Sequence, residues 1–362
     1  MIKLVDNLFD AATLTALGEF ASSGQQLTMG PLVREFESRF ARLIGRNHAV
    51  MTNSGSSANL LLAQWLADCG AFRVAVSALT WATNVMPLMQ LSMEPVPVDV
   101  QPETLNIGAT LPPNVDAVFA TCALGWAPPL EELAEECDRR KIPLLLDCCE
   151  ALGSKLDGWH LGSYGLAATY SFYAGHHICT IEGGMVVCDD DDLHDALLMM
   201  RSHGWARDVA EKRRAMLSVD GRFVFHRCGY NVRPMEIQGF LGLRGLEAWP
   251  DTAAERSCVY HRLARAQGFG IEIQDGLSEC IPMAFPVVCS TREECIDRQR
   301  RFEAAGIETR PMIAGNITRQ PFWPGGPVPL PGADHLHDCS FYGPLRPGLT
   351  DEQLRAYEKV LK

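Results

Sequence analysis

The sequence has no apolar run approaching the roughly 20 residues that span a bilayer, so no transmembrane helix is expected. Its opening, MIKLVDNLFDAATL, lacks the apolar core and small-residue cleavage site of a secretion signal. Positive charge is not in excess. The net charge of −12 argues against nucleic acid as the main partner, while local arginines could still hold an anionic small molecule. Cysteine is plentiful, at thirteen residues, but no C-x-x-C pair and no zinc-type spacing occurs. Buried, reduced thiols in a cytoplasmic protein are the expectation. Internal repeats and low-complexity tracts are absent as well.

What is present is an alternation of short apolar runs with amphipathic stretches. HAVMTNS, FRVAVSAL, EPVPVDV, DAVFATCAL, IPLLLDCC, AATYSFY and GGMVVCDD read as strands. Between and after them, SANLLLAQWLADCG, NVMPLMQLS, LEELAEECDRRK and DDLHDALLMMRSHG read as helices. Fully apolar strands separated by helices indicate an α/β fold, a mostly parallel sheet sandwiched by helices. From about residue 235 the pattern thins. A helical stretch leads to Pro250, a second comes after it, and IPMAFPVVC, REECIDRQRRFEAAG, IETRPM and DEQLRAYEKVLK suit a small α+β unit. WPGGPVPLPGADH reads as a loop. The expected division is a large domain over residues 1–248 and a small one over 249–362.

Four features carry chemistry. In NSGSSANLLLA, Gly55, Ser56 and Ser57 fall between a strand and a helix, where backbone amides and the helix dipole suit a phosphate or the serines simply cap. Asp147 ends IPLLLD, where a carboxylate can hold a protonated ring nitrogen or cap the next turn of chain. Trp81 in SALTWATN could stack on a planar ligand or belong to the core. The fourth is SFYAGHHICTIEGG, a hairpin crest with two adjacent histidines, His176 and His177, in place of ordinary turn residues.

Taken together with LTMGPLVREFESRFARLIG, PVPVDV, LLLDCCEALGS, CGYNVRPMEIQGFLGL and PGLTDEQLRAYEKVL, these strings resemble the DegT-type sugar aminotransferases over nearly the whole chain. Those are pyridoxal-phosphate (PLP) enzymes acting on nucleotide-linked keto sugars. The resemblance implies a type I PLP-enzyme fold and a homodimer with active sites at the subunit interface. It implies Gly55, Ser56 and Ser171 at the phosphate, Trp81 over the ring, Asp147 at the pyridinium and Glu150 near the ring hydroxyl. It also implies Asn231, in GYN, at the phosphate of the neighbouring subunit's cofactor.

The departure lies five residues after Ser171. The family's lysine, which forms an imine with the cofactor, is replaced by His176. Imidazole cannot form an imine, but its ordinary pKa of about 6.5 suits proton transfer. The string is similar to the histidine branch of the family, the nucleotide-linked 4-keto-6-deoxyhexose 3-dehydratases. That branch implies pyridoxamine phosphate as the working cofactor, His176 as the base, loss of the sugar C3 hydroxyl, and release of ammonia. His177 reads as a supporting residue. Within the branch, an iron–sulfur form needs several cysteines before GYN. Residues 201–231 hold only Cys228, so the resemblance points to the cluster-free type of GDP-4-keto-6-deoxymannose 3-dehydratase, with glutamate as amino donor and no metal. Arg310 and Arg319, flanking PMIAGNIT, are candidates for the nucleotide diphosphate or else surface arginines. Glu182 reads as facing solvent. Loss of the lysine also fits a retired protein that merely binds cofactor or nucleotide sugar, and a cluster-bearing dehydratase is the third reading.

Overall fold

A computed structural model describes residues 1–6, 8–209, 223–267 and 277–362. Seven strands form the central sheet: β1 (His48–Thr52), β2 (Arg73–Ser77), β3 (Glu94–Val98), β4 (Ala117–Thr121), β5 (Leu144–Asp147), β6 (Ala167–Ser171) and β7 (Gly184–Cys188). Their spatial order is β1-β7-β6-β5-β4-β2-β3. All neighbours are parallel except β7, which runs antiparallel to both β1 and β6. The two histidines therefore do sit between antiparallel partners, with Ser171 opposite Gly184.

The strands are apolar because of what covers them. Successive residues point to opposite faces, and both faces are packed. Leu144 and Leu146 enter one core with Phe36 and Phe40 of α2 (Pro31–Ile44), whereas Leu145 enters the other with Leu62 and Leu66 of α3 (Gly55–Asp68). Every residue of β4, β5 and β7 except those at the cavity edge is completely or almost completely buried. At roughly 25 cal/mol per Å² of apolar surface removed from water, such two-sided burial is the main term holding the sheet.

The second unit is a three-stranded antiparallel sheet in which β8 (Phe285–Val288) and β9 (Arg310–Pro311) flank β10 (Ser340–Gly343). Phe285 and Phe341 of this sheet join Phe302 and Tyr357 in a core continuous with that of the large unit. Three expectations need adjustment. The helical stretches on either side of Pro250 are one helix, Glu236–Gln267, so the division expected after residue 248 falls inside an element. The supposed loop WPGGPVPLPGADH ends early, because a helix covers Pro331–Cys339. Proline opens a helix at no hydrogen-bonding cost, since first-turn amides lack partners anyway. Finally, all thirteen cysteines are free, but Cys69, Cys228 and Cys258 are exposed rather than buried. Among the described residues, no helix is long and apolar enough to cross a membrane.

Candidate active site

The parallel strands deliver their last residues to one edge of the sheet. Thr121 and Asp147 are register partners, as are Asp147 and Thr169. A cavity of about 640 Å³ opens above this edge. Its floor includes Thr121, Asp147 and Ser171, one wall is the first turn of α3, and Met283, Glu308, Arg310 and Tyr342 come from the second unit. Among the described residues, no lysine lines it.

The α3 wall is shaped for close approach. Ser54 caps the helix by accepting the Ser57 N–H at 3.1 Å, leaving the amides of Gly55 and Ser56 without intrahelical partners. A side chain at position 55 would meet Ser171 Cβ at 2.7 Å and Cys149 Sγ at 3.2 Å, so glycine is required by space. One turn further along α3, Asn59 donates to Asp147 Oδ2 at 3.0 Å, while Asp147 Oδ1 accepts the Cys149 N–H at 2.9 Å. That second bond shows Asp147 ordering its own turn as well as facing the cavity.

His176 lines the cavity and is buried enough that its pKa falls to about 4, with Arg256 adding to burial and the Ser171 backbone opposing it. Its Nδ1 is buried without a hydrogen-bond partner. His177 turns away. Its Nε2 lies 2.8 Å from the Ile281 carbonyl and its ring meets Trp249 edge-on. Burial drives its pKa well down, which leaves Nε2–H donating to that carbonyl. Arg256 is buried with its guanidinium on the carbonyls of Pro282, Met283 and Leu345, and so fixes the segment that carries Met283 to the cavity. Glu150 accepts the Leu124 N–H at 2.8 Å. Burial lifts its carboxyl to about 7, so it is largely protonated below neutrality.

The chain matches the DegT/DnrJ/EryC1/StrS aminotransferase family across residues 9–361. It belongs to that family. A GDP-4-keto-6-deoxy-D-mannose 3-dehydratase of Yersinia pseudotuberculosis is 31% identical over 340 residues, covering 87% of this chain and 85% of its own. The solved structure of the E. coli GDP-4-keto-6-deoxy-D-mannose-3-dehydratase with bound hydrated PLP superposes at a TM-score of 0.90 and 26% identity, over 100% of this chain and 99% of that one. A GDP-4-keto-6-deoxymannose-3-dehydratase with a trapped PLP–glutamate geminal diamine gives 0.89 and 27%, covering 100% of both chains. The fold is thus that of the PLP-dependent aminotransferases.

The residues present fit a PLP-type cofactor of this DegT/DnrJ/EryC1/StrS family. A cradle that a single Cβ would fill lies at Gly55 and Ser171, a buried carboxylate at Asp147, and an orphaned imidazole nitrogen at His176. Gly55, Ser56, Trp81, Asp147, Glu150, Ser171, His176 and Arg310 all line one cavity. Trp81 is 56% exposed, so the core alternative for it is wrong. Glu182 is exposed, as expected, and also stands at the cavity edge. The structure does not bring Arg319 there. Its guanidinium pairs with Asp338 at 2.9 and 3.2 Å, which satisfies it elsewhere. Arg310 reaches the cavity but is paired with Glu308 at 2.7 Å. Asn231 is exposed and outside this chain's own cavity. The stretch searched for cluster ligands, 201–231, lies partly outside the described residues, at 210–222. Sequence reasoning missed Asn59, Cys149, Glu308 and Tyr342 in the lining. Asn59 had a signal, four residues after Gly55 and hence on the same helical face. Glu308 and Tyr342 had none, since only tertiary packing brings the second unit over the sheet.

Proposed function

We propose that the protein is a PLP-dependent, cluster-free 3-dehydratase of a nucleotide-linked 4-keto-6-deoxyhexose, GDP-4-keto-6-deoxymannose being the first candidate, with glutamate as amino donor. The observation that carries it is His176 on the wall of a cavity that no lysine lines among the described residues, beside Asp147 and the α3 N-terminus. The names of the relatives supply the substrate class and the donor.

When bound as pyridoxamine phosphate, the cofactor supplies an amine for the keto group and a ring that accepts an electron pair. The rest falls to the chain. The amides of Gly55 and Ser56 with the Ser171 hydroxyl hold the phosphate. Asp147, fixed by two donors, holds the proton on the ring nitrogen. Glu150 stands by the ring hydroxyl, and Trp81 covers one face. His176, on the cavity wall, takes the proton, and its depressed pKa keeps the imidazole unprotonated and ready at neutral pH. The same imidazolium can then deliver a proton to the departing C3 hydroxyl.

We also infer a homodimer in which Asn231 serves the partner's site. Its exposure outside its own cavity supports this. Mixing Asn231→Ala with His176→Asn subunits should restore activity that neither variant has alone. A cytoplasmic setting accords with thirteen cysteines that form no disulfide.

The test supplies PLP, glutamate and GDP-4-keto-6-deoxymannose. Formation of 2-oxoglutarate, ammonia and a 3-deoxy sugar, with no lysine trapped by borohydride, is the expected outcome. An amino sugar formed without ammonia would overturn the assignment. A retired binding protein would show no spectral conversion of PLP by glutamate.

A further inference from the structure

From the cavity floor inward runs a buried polar network whose members touch no reacting atom in the proposed chemistry. Asn59, Asn84, Thr80, Thr121 and Thr169 are each 5% exposed or less. Asn59 Nδ2 donates to Asp147 Oδ2 at 3.0 Å and to Asn84 Oδ1 at 2.7 Å, and Asn59 Oδ1 accepts the Thr169 hydroxyl at 2.7 Å. Asn84 Nδ2 in turn donates to Thr80 Oγ1 at 3.0 Å and Thr121 Oγ1 at 2.9 Å, and those two hydroxyls are 2.6 Å apart.

The direction of this network is set by charge. A buried carboxylate accepts and cannot donate, so Asn59 must present its NH₂ to Asp147. Its second hydrogen then faces Asn84, whose oxygen must turn towards it and whose NH₂ must turn to the threonines. Flipping Asn59 would set its oxygen against Asp147 Oδ2, and flipping Asn84 would set its NH₂ against the NH₂ of Asn59. Both hydrogens and the oxygen of Asn59 are thereby occupied, and the side chain has one permitted orientation.

We infer that Asn59 is the residue that positions and tunes Asp147, with Asn84 and Thr169 holding Asn59 in the one orientation that can do so. A neutral donor stabilises and aims the carboxylate without cancelling its charge, as a lysine or arginine would. The full negative charge remains available to a protonated ring nitrogen. Because Asn59 is four residues after Gly55, one face of α3 governs both ends of the ligand, the phosphate at its first turn and the ring carboxylate at its second. This rests on the reading that the cavity holds a PLP-type cofactor.

The test uses PLP alone, without sugar, on the folded full chain. Asn59→Leu, of similar size, should weaken PLP binding roughly ten- to hundredfold, the range for losing a hydrogen bond to a charged group. It should also loosen the hold of Asp147 on the ring nitrogen, so that the absorbance band of bound PLP titrates within the neutral range where wild type keeps one band. Thr169→Val, nearly isosteric, should shift both readouts the same way by less, and it carries the test if Asn59→Leu does not fold. Leu62→Ala on the same helix, fully buried in the apolar core, should lower the melting temperature and leave the titration unchanged. Wild-type affinity and a single band in both Asn59→Leu and Thr169→Val would overturn the inference, as would a Leu62→Ala that reproduces the shift. Failure of wild type to take up PLP would instead sink the proposed function, so the two failures are distinguishable.

Discussion

At the scale of single residues, the reaction turns on one substitution and its environment. His176→Asn should keep the fold and cofactor binding while lowering kcat/KM for dehydration roughly a hundred- to ten-thousandfold, the contribution of a positioned general base. Steady-state ammonia release measures it. His176→Lys should yield a borohydride-trapped lysine and lose dehydration; unchanged dehydration would remove His176 from its role. The pH profile offers a separate check. Burial holds His176 near 4 rather than 6.5, so the base is lost only on protonation well below the ordinary histidine range. The acid limb of kcat/KM, read at short times, should accordingly lie below pH 6.5. His177 does different work. His177→Leu strands the Ile281 carbonyl that Nε2 now holds at 2.8 Å, and should cost about 1–3 kcal/mol of stability, measurable by denaturant unfolding. The sequence pointed to His176 rather than His177, by its place five residues after Ser171, but not to the Ile281 carbonyl that His177 holds, since the loop's path decides that.

At the scale of elements, the first turn of α3 and the end of β6 form one device. Gly55→Ala forces a Cβ to within 2.7 Å of Ser171 Cβ. Both lie on rigid elements, so the expected result is weaker PLP binding together with a lower melting temperature. Wild-type affinity would mean that the turn is not the phosphate cradle. The strands and helices of the large unit were legible because their apolar periodicity is strong and both faces are packed. The helix through Pro250 was not. Proline normally breaks a helix, yet Trp249, Val259, Tyr260 and Leu263 on either side of it are buried, and that packing outweighs one lost hydrogen bond.

For the molecule as a whole, acid should be destabilising. Burial lowers His160, His176 and His194 from 6.5 to about 4. The unfolded chain therefore binds more protons than the native one between those values, and stability present above pH 6.5 drains as pH falls towards 4. Glu150, raised by burial from 4.5 to about 7, runs the opposite way, favouring the native state in acid and losing that as pH rises through 7. Burial lowers His177 and His337 as well, so five imidazoles against one carboxyl give a melting temperature of the cofactor-free protein that falls between pH 6.5 and 4.5. A rise on acidification would show that these imidazoles are not buried neutral.

The sequence by itself determined the family, the parallel sheet, the glycine-serine turn that opens α3 and the histidine where a lysine would stand, because each is written in local pattern or in a contiguous string. Only the tertiary structure decided that Arg310 reaches the cavity while Arg319 is held by Asp338. The same is true of Asn59 locking onto Asp147, and of Glu308 and Tyr342 closing the site. These are meetings between residues far apart in the chain. Their partners are selected by how two packed units share one core, and local pattern carries no record of that.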